Sequence, residues 1–445
     1  MNVKASLIFA ALTMVSPAFA AKAPNWKQVS REATALLTDF ILLDTSNPPG
    51  NESLMARRIA QALDKESIPY EIFESSPGRA NLVARLRGTG KARPLLLVAH
   101  TDTVGATEES WSTDPFKATT GNGYLTGRGA IDDKGLLTTQ LMVFISLKRL
   151  QVPLARDVIF LAAADEESGG ANGMRWLIAN HWNMIDAEYA FNEGGYAVLD
   201  DESVTQVGIQ CSEKAYHDIL LSVVSKSGHS AVPNSNNPIA ILAQTVSKIA
   251  FRTYPIELDA VTQQYFKAIG ARPGDFPIGA KEYAMARNTI VPTMIEAGSR
   301  NNVTPSRATV NLNARLLPGS DINAFMESLR RVINDPRVTT ELDISQDMPK
   351  SIASPMDSLA YKTLSAAAEK VFPDSLVVPY LSPGATDSIY LRAKGVKAYG
   401  IGLPLTREDT KRIHGADERV PLRGLEMTTQ FLWEAVLALA GQPGK

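Results

Sequence analysis

Cysteine is almost missing: Cys211 is the single one among 445 residues. No disulfide can form within the chain, and a zinc site built on cysteines is excluded. Histidine is scarce as well. His100, His181, His217, His229 and His414 are the only five, so any metal must be held by some of these with Asp and Glu. There is no excess of one charge: 45 Lys+Arg stand against 47 Asp+Glu, a formal net charge of −2. A nucleic-acid or anionic-membrane binder would carry a basic excess. Internal repeats and low-complexity runs are missing, and no apolar run approaches membrane-spanning length. What is left is an ordinary globular composition, 44% hydrophobic and 21% charged, long enough for two or three domains at about 150 residues each.

The first twenty residues stand apart. Lys4 supplies a short positive region, Leu7 to Val15 a short apolar core, and Ala18-Phe19-Ala20 a small-x-small site. This pattern predicts a secretory signal peptide over 1–20, cut after Ala20, and hence a secreted or periplasmic protein. No cysteine follows the cut to carry a lipid.

Helical and strand patterns alternate along the mature chain. Trp26 to Leu43 and Leu54 to Leu63 carry apolar residues at helical spacing. Tyr70 to Phe73, Leu82 to Leu86, Leu95 to Val98, Val158 to Ala164 and Ala187 to Phe191 read as strands, with helices at Leu136 to Leu150 and Ala171 to Asn180. The alternation predicts an α/β fold with a mixed, mostly parallel sheet flanked by helices. After Cys211 the texture changes. A helix from Pro238 to Ala250, a loop-rich stretch from about Tyr254 to Pro277, strands at Thr289 to Ala297 and Ala308 to Leu316, and a helix from Ile322 to Ile333 read as an inserted α+β unit. The α/β pattern returns near Met356. The expected division is therefore 21–212 and 349–445 for one domain and 213–348 for the insert.

Polar residues gather where the strands end. They are His100-x-Asp102, Asp132-Asp133, Glu166-Glu167 and Glu193. In an open α/β sheet, ligands bind outside the carboxyl ends of the strands. Each cluster also has a plain reading, as a turn, a helix N-cap or a solvated helix start. Gathered at one sheet edge they would repel, because clustered carboxylates need something positive beside them. Arg128 and Lys134 are the nearby bases in sequence; two divalent cations would also remove the repulsion.

Gly127-Arg128-Gly129-Ala130-Ile131-Asp132-Asp133-Lys134-Gly135 resembles the signature of the co-catalytic zinc peptidases and amidohydrolases. That family includes acetylornithine deacetylase, succinyl-diaminopimelate desuccinylase, aminoacylase and the glutamate carboxypeptidases. His100-Thr101-Asp102, Asp165-Glu166-Glu167, Asn192-Glu193-Gly194-Gly195, Gly228-His229-Ser230 and a late His414 follow in the family's order. The resemblance implies a zinc-peptidase fold whose insert serves as a lid and dimerisation domain. It implies two Zn2+ per chain, with Co2+ or Mn2+ also suited to such ligands. His100 and Glu193 would hold one ion, Glu167 and His414 the other, and Asp132 would bridge them across a cis Asp132–Asp133 bond. Asp102 would orient His100, and Glu166 would be the general base. His229 would stabilise the oxyanion, often in a partner subunit's site, which implies a homodimer or lid closure. Asn302, Arg315, Gly384 and Thr386 would contact substrate, with Arg315 gripping a carboxylate. His181 and His217 match nothing and are read as structural. The expected activity is hydrolysis of peptides or N-acyl amino acids with a free carboxylate, carboxypeptidase- or aminoacylase-like, with no nucleic acid or membrane as partner. A two-zinc aminopeptidase or dipeptidase, and a non-catalytic binding module of the same fold, are the alternatives.

Overall fold

A computed structural model describes residues 23–344 and 348–442; the expected signal segment lies outside them. The central element is a ten-stranded mixed sheet. At its middle, Arg156–Ala163, Ala92–His100, Tyr189–Asn192 and Lys397–Gly400 run parallel side by side. Leu95, Leu96, Leu97 and Val98 are buried on both faces of this sheet, which is why the strand reads as a continuous apolar run. On one face, the helices Trp26–Ile41, Glu52–Lys65, Lys134–Arg149, Leu359–Val371 and Leu422–Ala440 build the larger core. Met174–Asn180, Trp182–Ile185 and Ser388–Ala393 cover the other face around Val83, Leu96, Ile159 and Leu391.

Lys134–Arg149 is buried along nearly its whole length. It packs between the sheet and the helices Trp26–Ile41 and Leu422–Ala440. Its one central amide is anchored through its nitrogen: Gln140 Nε2 donates to Val98 O at 3.0 Å and to Phe191 O at 3.2 Å, while its Oε1 is buried without a partner among the described residues.

The insert holds its own four-stranded antiparallel sheet, ordered Thr289–Ala297, Arg307–Leu316, Ala215–Val224, Val338–Leu342. Alternate residues of Arg307–Leu316 are buried, and with Ile241, Leu242, Phe325 and Leu329 they form a separate core. The polar face carries Tyr216, Asp218, Asn311, Asn313 and Arg315, tied together by Asn311 and Asn313 donating to Asp218. Within this unit one stretch differs from the expectation. Ala260–Ile269 is a helix, not a loop, with the Asp259 side chain capping its start and Gly270 at φ 67° ending it. Val261, Tyr265 and Phe266, with Met285 and Ala286 further on, join the core of the main sheet. The chain thus leaves the insert's core, straps across the strand Leu376–Ser382, and returns to the insert's sheet at Thr289. Among the described residues no helix is long and apolar enough to cross a membrane.

Candidate metal centre

His100, Glu166 and Glu193 stand at or just beyond the carboxyl ends of three adjacent parallel strands. Asp132 precedes the helix Lys134–Arg149, and the Asp132–Asp133 peptide bond is cis. His414 comes from the far end of the chain with φ 61°. The two oxygens of Asp132 face two imidazoles: Oδ1 lies 3.0 Å from His100 Nε2 and Oδ2 lies 3.1 Å from His414 Nε2. His100 Nε2 is also 3.8 Å from Glu193 Oε1, and His414 Nε2 is 3.3 Å from Glu167 Oε1. Candidate ligand atoms of His100, Glu166 and Glu193, and of His100, Asp132 and Glu167, lie within 4.8 Å of one another. Those two groups share His100, while the pairwise contacts link His100 with Glu193 and His414 with Glu167 through the one carboxylate of Asp132.

The basic residues beside these acids do not neutralise them. Arg128 Nη1 donates to Glu418 Oε2 at 2.7 Å, and the buried Lys134 Nζ donates to Leu43 O at 2.8 Å. Burial therefore pushes the Glu166, Glu193 and Asp133 carboxyls well up, and neighbouring carboxylates add to the rise. Asp132 goes the other way: against the effect of burial, its contacts with His100 and His414 hold it well below the usual range. Burial would push His100 down, but hydrogen bonds to Asp102 and Asp132 raise it well above the ordinary value. Contacts with Asp132, then Glu167, lift His414 to about 10. Glu167 Oε1 is buried and, apart from the 3.3 Å approach of His414 Nε2, has no hydrogen-bond partner among the described residues. The donor set therefore fits divalent cations: two imidazole nitrogens and the oxygens of Asp132, Glu167 and Glu193 converge, and without a metal the charge of those carboxylates is met by the raised imidazoles alone among the ion pairs of the described residues.

A second layer of residues positions these groups, and of its side chains only Asp102 was expected from the sequence. His100 Nδ1 lies 3.0 Å from the Asp102 carbonyl and 3.4 Å from its Oδ1. The nearer contact is the backbone carbonyl, where a carboxylate contact was expected. The Asp102 carboxylate accepts the Glu166 and Glu167 N–H groups at 3.1 Å each, fixing the short 3-10 turn that carries both acids. Asn47 Nδ2 donates to Asp102 Oδ2 at 2.8 Å and to Asp165 Oδ1 at 2.9 Å. Arg79 reaches Asp165 at 2.6 Å and grips Glu52 with two bonds of 2.7 Å. On the other side Glu418 accepts the N–H groups of Gly129, Ile131 and Asp132. The loop that carries Gly384 and Thr386 is held in the same way. Glu213, paired with Arg392 at 2.6 Å, accepts the Thr386 N–H at 2.6 Å.

The centre opens into a cleft of about 880 Å³ lined by Asp132, Glu166, Glu193, Arg315, Gly384, Thr386 and His414, among others. Arg315 stacks over Tyr216, 4.7 Å from its ring centroid. His229 and Asn302 are not among the lining residues. They are brought to each other instead: His229 pairs with Val303 in a two-stranded ribbon, and Ser230 N donates to Asn302 O at 3.1 Å. His181 packs against the rings of Phe73 and Trp176.

Residues 96–438 match the model of peptidase family M20/M25/M40. The chain is 28% identical over 373 residues to the N-fatty-acyl-amino acid synthase/hydrolase PM20D1 of Homo sapiens, covering 77% of this chain and 74% of that protein. It is 27% identical over 426 residues to aminoacylase-1B of Rattus norvegicus, covering 92% and 96%. The fold is similar to that of an M20 family metallo-carboxypeptidase from Sulfolobus solfataricus, with a TM-score of 0.74 and 20% identity over 91% of this chain and 98% of that one.

Proposed function

The chain belongs to peptidase family M20/M25/M40, metal-dependent hydrolases of amide bonds, and from that premise we propose that it holds two divalent ions, zinc first among them. Its proposed substrates are peptides or N-acyl amino acids with a free α-carboxylate. The observation that carries this reading is Asp132, whose two oxygens face His100 and His414 on opposite sides. In this reading His100 and Glu193 hold one ion, Glu167 and His414 the other, and Asp132 bridges. When bound, such a pair lowers the pKa of a shared water and polarises the amide carbonyl.

The protein's own groups do the rest. Glu166 stands on a turn fixed by Asp102, lines the cleft, and is raised by burial and by Glu193. A carboxylate so raised suits uptake of a proton from water and its return to the leaving nitrogen. Asp102, through its carbonyl and carboxylate, sets the His100 tautomer. Arg315 binds the substrate carboxylate through its fork of donors, and the Gly384–Thr386 loop lies beside it in the same cleft.

His229 and Asn302 complete the site from a second copy. Two features support this: neither lines its own cleft, and the lid's edge strand Thr289–Ala297 exposes Val291, Met294 and Ile295. Residues 1–20 direct export. The carboxylate requirement is tested with an N-acyl amino acid and its C-terminal amide. The free acid should be cut faster, and Arg315→Met should erase most of that preference, about 10- to 100-fold for a lost charge-assisted bond. Equal rates on acid and amide by the unaltered protein would remove the clamp.

A further inference from the structure

The cleft is larger than the chemistry at the metal centre needs, and the strap adds Lys281 and Glu282 to its lining. Past Glu193 the cleft runs along the strand Tyr196–Asp200 and the short strand Pro404–Leu405, the last strand of the sheet. Its walls there are Ala197, Val198, Leu403 and Leu405, which suit an apolar chain. Two cations, Lys281 and Arg407, then appear among the lining residues. Lys281 opens the strap's short helix Lys281–Met285.

Lys281 is not an ordinary surface lysine. Its Nζ lies 3.6 Å from the centroid of the Tyr196 ring and 5.5 Å from that of Tyr380. The closest carboxylate, Glu282, stays 3.9 Å away, and its Oε1 already accepts from Tyr265 OH at 2.9 Å. Among the described residues the side chains of Lys281 and Arg407 make no hydrogen bond. Burial pushes the Lys281 amine down, Glu282 opposes this, and Arg407 adds to it. An ammonium has three donors, and a ring face satisfies its charge but none of those donors. A lysine merely covering apolar surface would carry its head out to open water. This one keeps 39% of its side chain exposed yet rests on an aromatic wall inside the cleft.

We propose that Lys281, with Arg407 beside it, forms an anion subsite at the acyl end of the cleft. It reads a carboxylate carried by the acyl half of the substrate, across an apolar spacer from the scissile amide. The inference rests on the amide-hydrolase reading above and extends it: the preferred substrate is anionic at both ends, with Arg315 holding one and Lys281 the other.

The test separates binding from turnover. In the non-hydrolysing Glu166→Ala background, calorimetry compares N-acyl amino acids in matched pairs, plain or ω-carboxylated, with acyl chains of four, six and eight carbons. At least one ω-carboxylated member should bind about tenfold or more tightly than its plain partner. Lys281→Met, which keeps the stem over Tyr196, should bring that ratio close to one, and Lys281→Arg should restore most of it. Equal or weaker binding of every ω-carboxylated member overturns the subsite. So does a preference that survives Lys281→Met. Hydrolysis of the plain N-acyl amino acids by the unaltered, metal-loaded protein reads the amide-hydrolase assignment separately, because it does not depend on Lys281's choice.

Discussion

Arg79→Met probes the buried layer behind the metal centre. The Arg79 side chain is 10% exposed, and its partners Glu52 and Asp165 are 0% and 3% exposed. One guanidinium therefore compensates two carboxylates that water barely reaches. Removing one member of such a buried pair costs about 3–5 kcal/mol, because the charge left behind has no counterpart. Burial already raises the Glu52 carboxyl, and the hydrogen bond from Arg79 is what opposes the rise. Without that bond Glu52 takes up a proton, which limits the loss at about 1.4 kcal/mol per unit of pKa. The damage also reaches the metal centre. Asp165 shares Asn47 with Asp102, and Asp102 fixes the turn of Glu166 and Glu167. Loss of an outer partner of a metal ligand typically weakens metal binding about 10–100-fold. The assay is urea unfolding at pH 7 on chelated protein, for stability alone, followed by zinc affinity by competition with a chromophoric chelator. The double variant Arg79→Met, Glu52→Gln should recover part of the stability but not the zinc affinity, since Asp165 stays unpaired. If Arg79→Met lies within about 0.5 kcal/mol of the parent and binds zinc equally well, the network is not a positioning device and the reasoning fails.

Glu166→Ala should retain its metal content by elemental analysis while turnover falls about 10²–10⁴-fold, the usual contribution of a general base; substantial retained hydrolysis removes Glu166 from that role. Asp387 is buried with both carboxylate oxygens unpartnered among the described residues. Burial lifts its carboxyl to about 8, with Asp102, Asp165 and Glu213 adding and His100 opposing. The folded pKa lies above the unfolded one, so the native state binds the extra proton, and stability is lost as pH rises from about 4 through 8. Asp387→Asn is neutral throughout. Its stability relative to the parent, measured on chelated protein, should grow by about 1–4 kcal/mol between pH 5 and pH 8; a difference flat with pH contradicts the assignment.

The acids and His100 were legible because polarity flips where a buried strand ends. A run such as Leu95 to Val98 followed by His100 and Asp102 marks both the strand and the sheet edge. The change of texture after Cys211 falls just before Ala215, where the separate four-stranded sheet begins. The strap was not legible: the prolines and glycines on either side of Ala260–Ile269 masked a helix whose apolar residues, Val261, Tyr265 and Phe266, serve the other domain's core. Periodicity reports that a face is apolar, not which core it joins. Arg79, Asn47, Glu52, Glu213 and Glu418 were also invisible. Each acts on a partner far along the chain, as Glu418 does on Gly129 to Asp132, and a single charged residue carries no local pattern. His229 and Asn302 were picked out by resemblance alone, and they lie on adjoining backbone segments, with neither lining the cleft.

The central claim is a pair of ions sharing Asp132. It is tested most directly by titrating chelated protein with Zn2+ while counting bound metal and following hydrolysis of an N-acyl amino acid. Two equivalents per chain should bind, Asp132→Ala should lose both, and turnover should appear only as the sites fill. One equivalent or none at saturation, or hydrolysis that survives complete metal removal, would contradict it.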